Sequence, residues 1–214
     1  RRELRLLARC EPLSEIDLIG VGDADLVLLG PVAGEVELGV VSRVAEAEGF
    51  TATVLQGFLR RFDLDGRVSL EPSRGVLNTL SKLRLLCGSS EEVMSLAKAS
   101  ELREALKRLV ELGPSYAAAT MGRLGSWLAV NNTLLRAPSY PVSTIADPTG
   151  AGDVYAGVLA TLLSRGEDAA WSMSMASAAA SFAVEALGPS YSASLVEVEE
   201  RARLIAELIE SSPL

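Results

Sequence analysis

Residues 147–166 read DPTGAGDVYAGVLATLLSRG, and the class of fold turns on them. Three small residues, Gly150, Ala151 and Gly152, stand at the entrance to an apolar helix expected over 153–164. A helix N-terminus offers backbone N–H groups with no intrahelical acceptor, together with the positive end of the helix dipole. Small side chains let a phosphate approach those N–H groups closely. The stretch predicts an anion hole suited to the charge on a transferring phosphoryl group. Asp153 is expected beside it at the helix start, where its carboxylate should be stabilised as the anion and its pKa held low. It could still orient an acceptor hydroxyl and collect its proton. The plainer alternative is a glycine turn with Asp153 as helix N-cap.

Working outward, strands are expected where short apolar or β-branched runs meet turn residues, at 25–29, 51–55, 83–87 and 116–121. Helical spacing marks 34–48, 100–112, 168–186 and 194–210. Another helix should open at Ser89 or Ser90, where Ser precedes Glu. Segments 126–130 and 133–138 flank Asn131-Asn132, which predicts a tight hairpin. Alternating strands and helices predict an α/β domain with a mainly parallel sheet, the hairpin adding an antiparallel edge. Ligands of such sheets gather at the carboxyl ends of the strands.

Composition narrows the chemistry. The 214 residues are 49% hydrophobic and 22% charged, which suits a globular domain with a core. The net charge of −8 argues against non-specific nucleic-acid binding. The absence of histidine removes Ser-His-Asp and Cys-His chemistry and any His-ligated metal. Cys10 and Cys87 lack metal-type spacing and are expected to be buried thiols in a reducing compartment. No apolar run long enough to span a membrane is present, so no membrane partner and a cytoplasmic location are expected. Seventeen Arg against three Lys, with three Asn and one Gln, hint at a thermophile or a GC-rich genome. Gly20-Val-Gly22 does not make a dinucleotide loop, because Asp25 stands where the third glycine belongs and no clear strand precedes it.

DPTGAGD resembles the DTxGAGD signature of the PfkB/ribokinase family of carbohydrate kinases, with Pro148 in place of a commoner Thr. The resemblance implies a three-layer ribokinase-like fold in which the backbone of Gly150, Ala151 and Gly152 forms the anion hole and Asp153 is the catalytic base. It implies a monovalent cation such as K⁺ near Asp147 and Thr149. Thr120-Met-Gly-Arg-Leu-Gly-Ser126 resembles the family's TxGxxG(S) stretch, which places Thr120, Gly122 and Gly125, with Thr149, at the ATP site. Helix 173–186 and the Gly188-Pro189 turn resemble the region flanking the adenine.

Ser89-Ser-Glu-Glu92 falls where the family carries Asn-x-x-Glu near Mg²⁺ and phosphate. Glu92 matches the Glu and Ser89 replaces the Asn; a helix cap explains the same residues. Stretches 30–36 and 55–68, with SSEE, resemble the inositol kinase-like branch. There Gln56 and Arg60 would reach the substrate, although Val54 stands in place of the usual Asp; a surface loop with an Arg salt bridge is the alternative.

The implied activity is ATP- and Mg²⁺-dependent phosphorylation of a hydroxyl on a sugar, a myo-inositol-like polyol or a nucleoside. A catalytically inactive nucleotide-binding or scaffolding fragment is the rival. Residues 1–214 are expected to form one catalytic, ATP-binding domain that is N-terminally incomplete, lacking the sugar-binding and lid segment. The start at Arg1 rather than Met accords with that expectation. Many relatives dimerise through the lid, so a homodimer is also implied.

Overall fold

The computed structural model describes residues 5–72 and 75–214. Residues 1–4, with the Arg1 start, lie outside the described residues. In chain order the elements are β1 (Leu26–Leu29), α1 (Leu38–Val44), β2 (Phe50–Val54), α2 (Gln56–Leu59), β3 (Arg60–Phe62) and β4 (Val68–Leu70). Then come α3 (Val76–Leu80), β5 (Leu85–Ser89), α4 (Ser90–Ala97), α5 (Leu102–Glu111) and β6 (Tyr116–Thr120). The chain continues through β7 (Ser126–Val130), β8 (Thr133–Ala137), α6 (Ala151–Ser164), α7 (Ala169–Glu185), α8 (Leu195–Ala206) and β9 (Glu210–Pro213).

Seven strands form one sheet in the order β1-β2-β5-β6-β7-β8-β9, and β3 and β4 pair separately as an antiparallel ribbon. The first four strands of the large sheet run parallel. The last three pairings are antiparallel. This is the mainly parallel sheet with an antiparallel edge that the sequence predicts.

Alternation along the central strands builds the two flanking layers, because successive strand side chains face opposite sides of a sheet. Leu86, Ala117 and Ala119 pack beneath Val40, Leu80, Leu96 and Leu106, from α1, α3, α4 and α5. Leu85, Cys87 and Ala118 face the other way, against Leu159, Met175 and Ile205 of α6, α7 and α8. Strands covered on both faces must be apolar throughout, which is why β2, β5 and β6 read as unbroken apolar or small-residue runs. The small residues of α7 serve close packing, since Ser172, Ser174, Ala176 and Ala178 are all buried.

Local signals hold at several joints. Ser89 caps α4, its Oγ accepting from the Glu92 N–H at 3.2 Å while the Ser89 N–H donates to Glu92 Oε2 at 2.8 Å. Asn131 and Asn132 both have positive φ (47° and 60°), the geometry of a two-residue type I′ hairpin. Two expected helices are shorter than their periodicity suggests. Over 34–48 only Leu38–Val44 is helical, because Gly34 turns at φ 77° and Glu35 ties the preceding loop through the Val32 and Ala33 N–H groups at 2.7 and 2.6 Å. Over 194–210 the helix ends at Ala206, and the polar tail Glu210–Pro213 becomes a strand against β8.

The topology sets one end of the sheet apart. β8 is antiparallel to β7 and β7 to β6, so β8 leaves the sheet at the same end as β1, β2, β5 and β6. Residues 138–150 then cross that end and deliver the chain to the start of α6.

Candidate active site

Gly150 is the N-cap of α6 with φ 83°, a left-handed conformation that a side chain would strain. Ala151 and Gly152 are the first two helical residues and Asp153 the third. The Ala151 N–H donates back to the Pro148 carbonyl at 3.4 Å, while the N–H groups of Gly152 and Asp153 fall in the first turn, where helical geometry supplies no acceptor further back. A β-carbon built on Gly150 or Gly152 would meet nothing within 4 Å, so the helix opens onto free space. The alternative of Asp153 as N-cap does not hold: the cap is a glycine, and Asp153 sits a turn inside with its carboxyl exposed at the mouth.

The expected low pKa of Asp153 is also corrected. Loss of hydration among the surrounding protein atoms raises its pKa above the ordinary carboxylate value, and the nearby guanidinium of Arg60 opposes the rise without cancelling it. The sequence shows the helix terminus but not the folded surroundings that partly desolvate the carboxylate. A raised pKa makes Asp153 a better proton acceptor than the local reading allows.

Beside this terminus lies a cavity of about 410 Å³. Ala151, Gly152 and Pro148 close one end, the β6–β7 turn forms one wall with Thr120, Gly122 and Gly125, and α7 forms the other. The turn is locked in place. Gly125 has φ 92°, and a β-carbon there would stand 2.0 Å from the Ala137 carbonyl oxygen. Ser139 Oγ donates to the Arg123 carbonyl at 2.7 Å, tying the turn to the strap that leaves β8. The cavity floor is a buried hydroxyl chain, in which Tyr155 donates to Ser126 at 3.0 Å and Ser126 meets Ser177 at 3.5 Å.

Sequence reasoning missed the outer wall. Arg201 of α8 stacks on the rings of Phe182 (3.5 Å to the centroid) and Tyr140 (4.4 Å). It also donates to Ser181 at 2.7 Å and pairs with Glu185 at 2.7 Å. Tyr140 and Ser181 line the cavity, so Arg201 braces it from behind. No local motif signals this, because the partners lie 16 to 61 residues away along the chain.

The other expected residues, Asp147, Thr149, Glu92, Gln56 and Arg60, lie outside the lining of this cavity. Thr149 N–H donates to Asp147 Oδ1 at 2.9 Å, so the pair expected near a monovalent cation closes a turn on itself. Glu92 spends Oε2 on its helix cap. Arg60 donates to Gln56 Oε1 at 2.8 Å and to the Val32 carbonyl at 3.1 Å, which anchors both residues beside the loop after β1. Buried Cys87 feels two carboxylates: burial first, then the charges of Glu92 and Asp153, push its thiol up to about 12. Cys10, expected to be buried, is exposed.

Residues 39–195 match the model of the pfkB family carbohydrate kinases. The chain belongs to that family. Among solved structures, Thermotoga maritima ribokinase is 24% identical over 88% of this chain and 60% of its own, with a TM-score of 0.69. A pyrophosphate-dependent kinase in the ribokinase family, solved with a pyrophosphate analogue and myo-inositol, is 21% identical over 88% of this chain and 68% of its own, with a TM-score of 0.75. Arabidopsis thaliana ribokinase, complexed with ribose and ATP, is 22% identical over 91% and 61%, with a TM-score of 0.67. No curated protein sequence matches. At these identities the structures establish a ribokinase-like fold, and this chain spans 60–68% of those three relatives' lengths. No helix among the described residues of this pfkB-family chain is long and apolar enough to cross a membrane.

Proposed function

We propose that this chain is the nucleotide-binding, catalytic part of an ATP-dependent kinase that phosphorylates a hydroxyl of a sugar, nucleoside or polyol, with a myo-inositol-like polyol the preferred acceptor. One observation carries the reading: the open N-terminus of α6 faces a cavity on one side and the carboxylate of Asp153 on the other. In the proposed reaction the acceptor oxygen bonds to the γ-phosphorus and the bond from that phosphorus to the bridging oxygen breaks. ADP leaves with the electron pair, and the acceptor proton passes to Asp153. The first-turn N–H groups of Gly152 and Asp153 hold the phosphoryl oxygens as charge builds on them.

The cavity supports a nucleoside triphosphate over bare pyrophosphate as donor. Its 410 Å³ lies in the range of sites for small organic ligands and extends away from the phosphate end, between the β6–β7 turn and α7. Mg²⁺ suits the residues present. The ion typically takes one or two carboxylates plus substrate phosphates rather than a protein cage. Glu92 and Asp153 flank the same strand end, and among the described residues no three His, Cys, Asp or Glu side chains gather into a cage. Glu92 would hold the ion, which neutralises phosphate charge when bound.

A second reading, nucleotide binding without turnover, is favoured by the commitment of Glu92 to its helix cap. Asp153→Asn separates the two. The kinase reading requires ATP-dependent turnover across a panel of sugars, nucleosides and polyols, lost by at least roughly a thousandfold in the variant while ATP affinity measured by calorimetry is kept. Equal rates in variant and wild type would remove Asp153 from the chemistry. Tight ATP binding with no turnover of any acceptor would favour the second reading.

A further inference from the structure

A separate cavity of about 370 Å³ opens between the loop after β1, helix α2 and the β3–β4 ribbon. Its charge is the reverse of the chain's. Against a net charge of −8, three guanidinium groups line it (Arg9, Arg60 and Arg61) and one carboxylate (Glu37). Two of the arginines are held in place. Arg60 is fixed by its bonds to Gln56 and the Val32 carbonyl. Arg9 lies over the Phe62 ring, 5.3 Å from its centroid, and acts on Glu35, whose carboxyl is pushed up by burial but held low by backbone N–H groups and this guanidinium. Arg61 has no ion-pair partner among the described residues. Like charges gathered at a concave surface concentrate a field that an anion relieves, and guanidinium forks match phosphate and carboxylate oxygens. The cavity is also joined to the reaction centre, because Arg60 forms part of its wall and acts on the Asp153 carboxylate.

We propose that this cavity holds an anionic substituent of the acceptor, a phosphate or a carboxylate, while the hydroxyl to be phosphorylated reaches Asp153. The proposal rests on the kinase reading above and narrows its substrate class to acidic sugars or polyols. Arg61 supplies the free donors, Arg9 adds positive charge from its seat on Phe62, and Arg60 positions the acceptor between the two sites.

Calorimetric titration without nucleotide tests the cavity directly, using ribose 5-phosphate against ribose, myo-inositol 1-phosphate against myo-inositol, and gluconate for the carboxylate. The anionic member of a pair is expected to bind roughly ten- to a hundredfold more tightly, the worth of one or two charge-assisted hydrogen bonds. Arg61→Ala should abolish that preference, Arg61→Lys should restore part of it, and Arg43→Ala, remote and already paired with Glu46, should leave it intact. Arg61 is exposed, so its loss should not unfold the chain, and an unchanged melting temperature verifies this. A preference for phosphate over gluconate, or the reverse, assigns the anion. Equal binding of neutral and anionic partners, or an anion preference that survives Arg61→Ala, overturns the proposal even where ATP-dependent turnover upholds the kinase reading. Anion binding lost in Arg61→Ala but without turnover on any acceptor upholds the cavity's ligand class and removes the kinase reading instead.

Discussion

Gly152→Ala should make the protein more stable and less active at once. Gly152 is the second residue of α6, its φ lies outside the left-handed region, and a β-carbon there meets nothing within 4 Å. Neither strain nor collision opposes the methyl group. Replacing glycine by alanine at a compatible site gains about 0.4–1 kcal/mol, mainly by restricting the unfolded chain. For a domain of this size that is a rise of about 1–4 °C in melting temperature. Gly152 also lines the cavity, and Cα–Cβ bonds of a helix tilt toward its N-terminus, so the methyl occupies the space in front of the first-turn N–H groups. Loss of one such donor to a developing oxyanion costs about a hundred- to a thousandfold in kcat. Thermal melts and steady-state kinetics on the same preparation check both halves. A variant that is destabilised, or one that is stabilised and fully active, refutes the placement of Gly152 at the phosphate.

The raised pKa of Asp153 carries a sign. Its folded form holds a proton above 3.8, where the unfolded chain has released it, so the contribution is present below that pH and lost as pH rises through the folded pKa. Asp153→Asn should melt higher than wild type at neutral pH, the difference vanishing below pH 3.8, and the acid limb of wild-type kcat/KM should lie above that value; a stability difference of the opposite sign would count against the desolvated carboxylate. Buried Cys87, at about 12, should resist alkylation while exposed Cys10 reacts, so one thiol titrates in the native protein and two in denaturant. Two fast thiols would place Cys87 at the surface. Arg201→Ala should raise KM for ATP by roughly tenfold with a much smaller change in kcat, because it loosens Tyr140 and Ser181 rather than the phosphoryl end. Arg201→Lys, which keeps the charge but not the planar stack, should recover only part of the affinity, and a drop in kcat alone would contradict the bracing role.

What the sequence made legible was local. The open start of α6 is the consecutive run Gly150 to Asp153, the α4 cap is a Ser and a Glu three apart, and the hairpin announces itself by two adjacent asparagines. Each is a short-range rule that tertiary packing leaves intact. Long-range features were hidden. β9 is the polar run ESSP and becomes a strand only because β8 offers an edge. The β3–β4 ribbon begins with two arginines and lacks a strand-like apolar period. The sign of the Asp153 shift went wrong for the same reason: the helix terminus is in the neighbouring sequence, whereas the loss of hydration that raises the pKa comes from the folded surroundings and outweighs the lowering by Arg60.

The strap from Pro138 to Thr149 works as a ruler. At one end Gly125 is pressed under the Ala137 carbonyl, and at the other the chain turns through Gly150 into α6. On the proposed kinase reading, the span between those fixed points sets how far a donor's base can sit from its last phosphorus. Lengthening it would leave both recognition surfaces whole and still misalign the molecule they share.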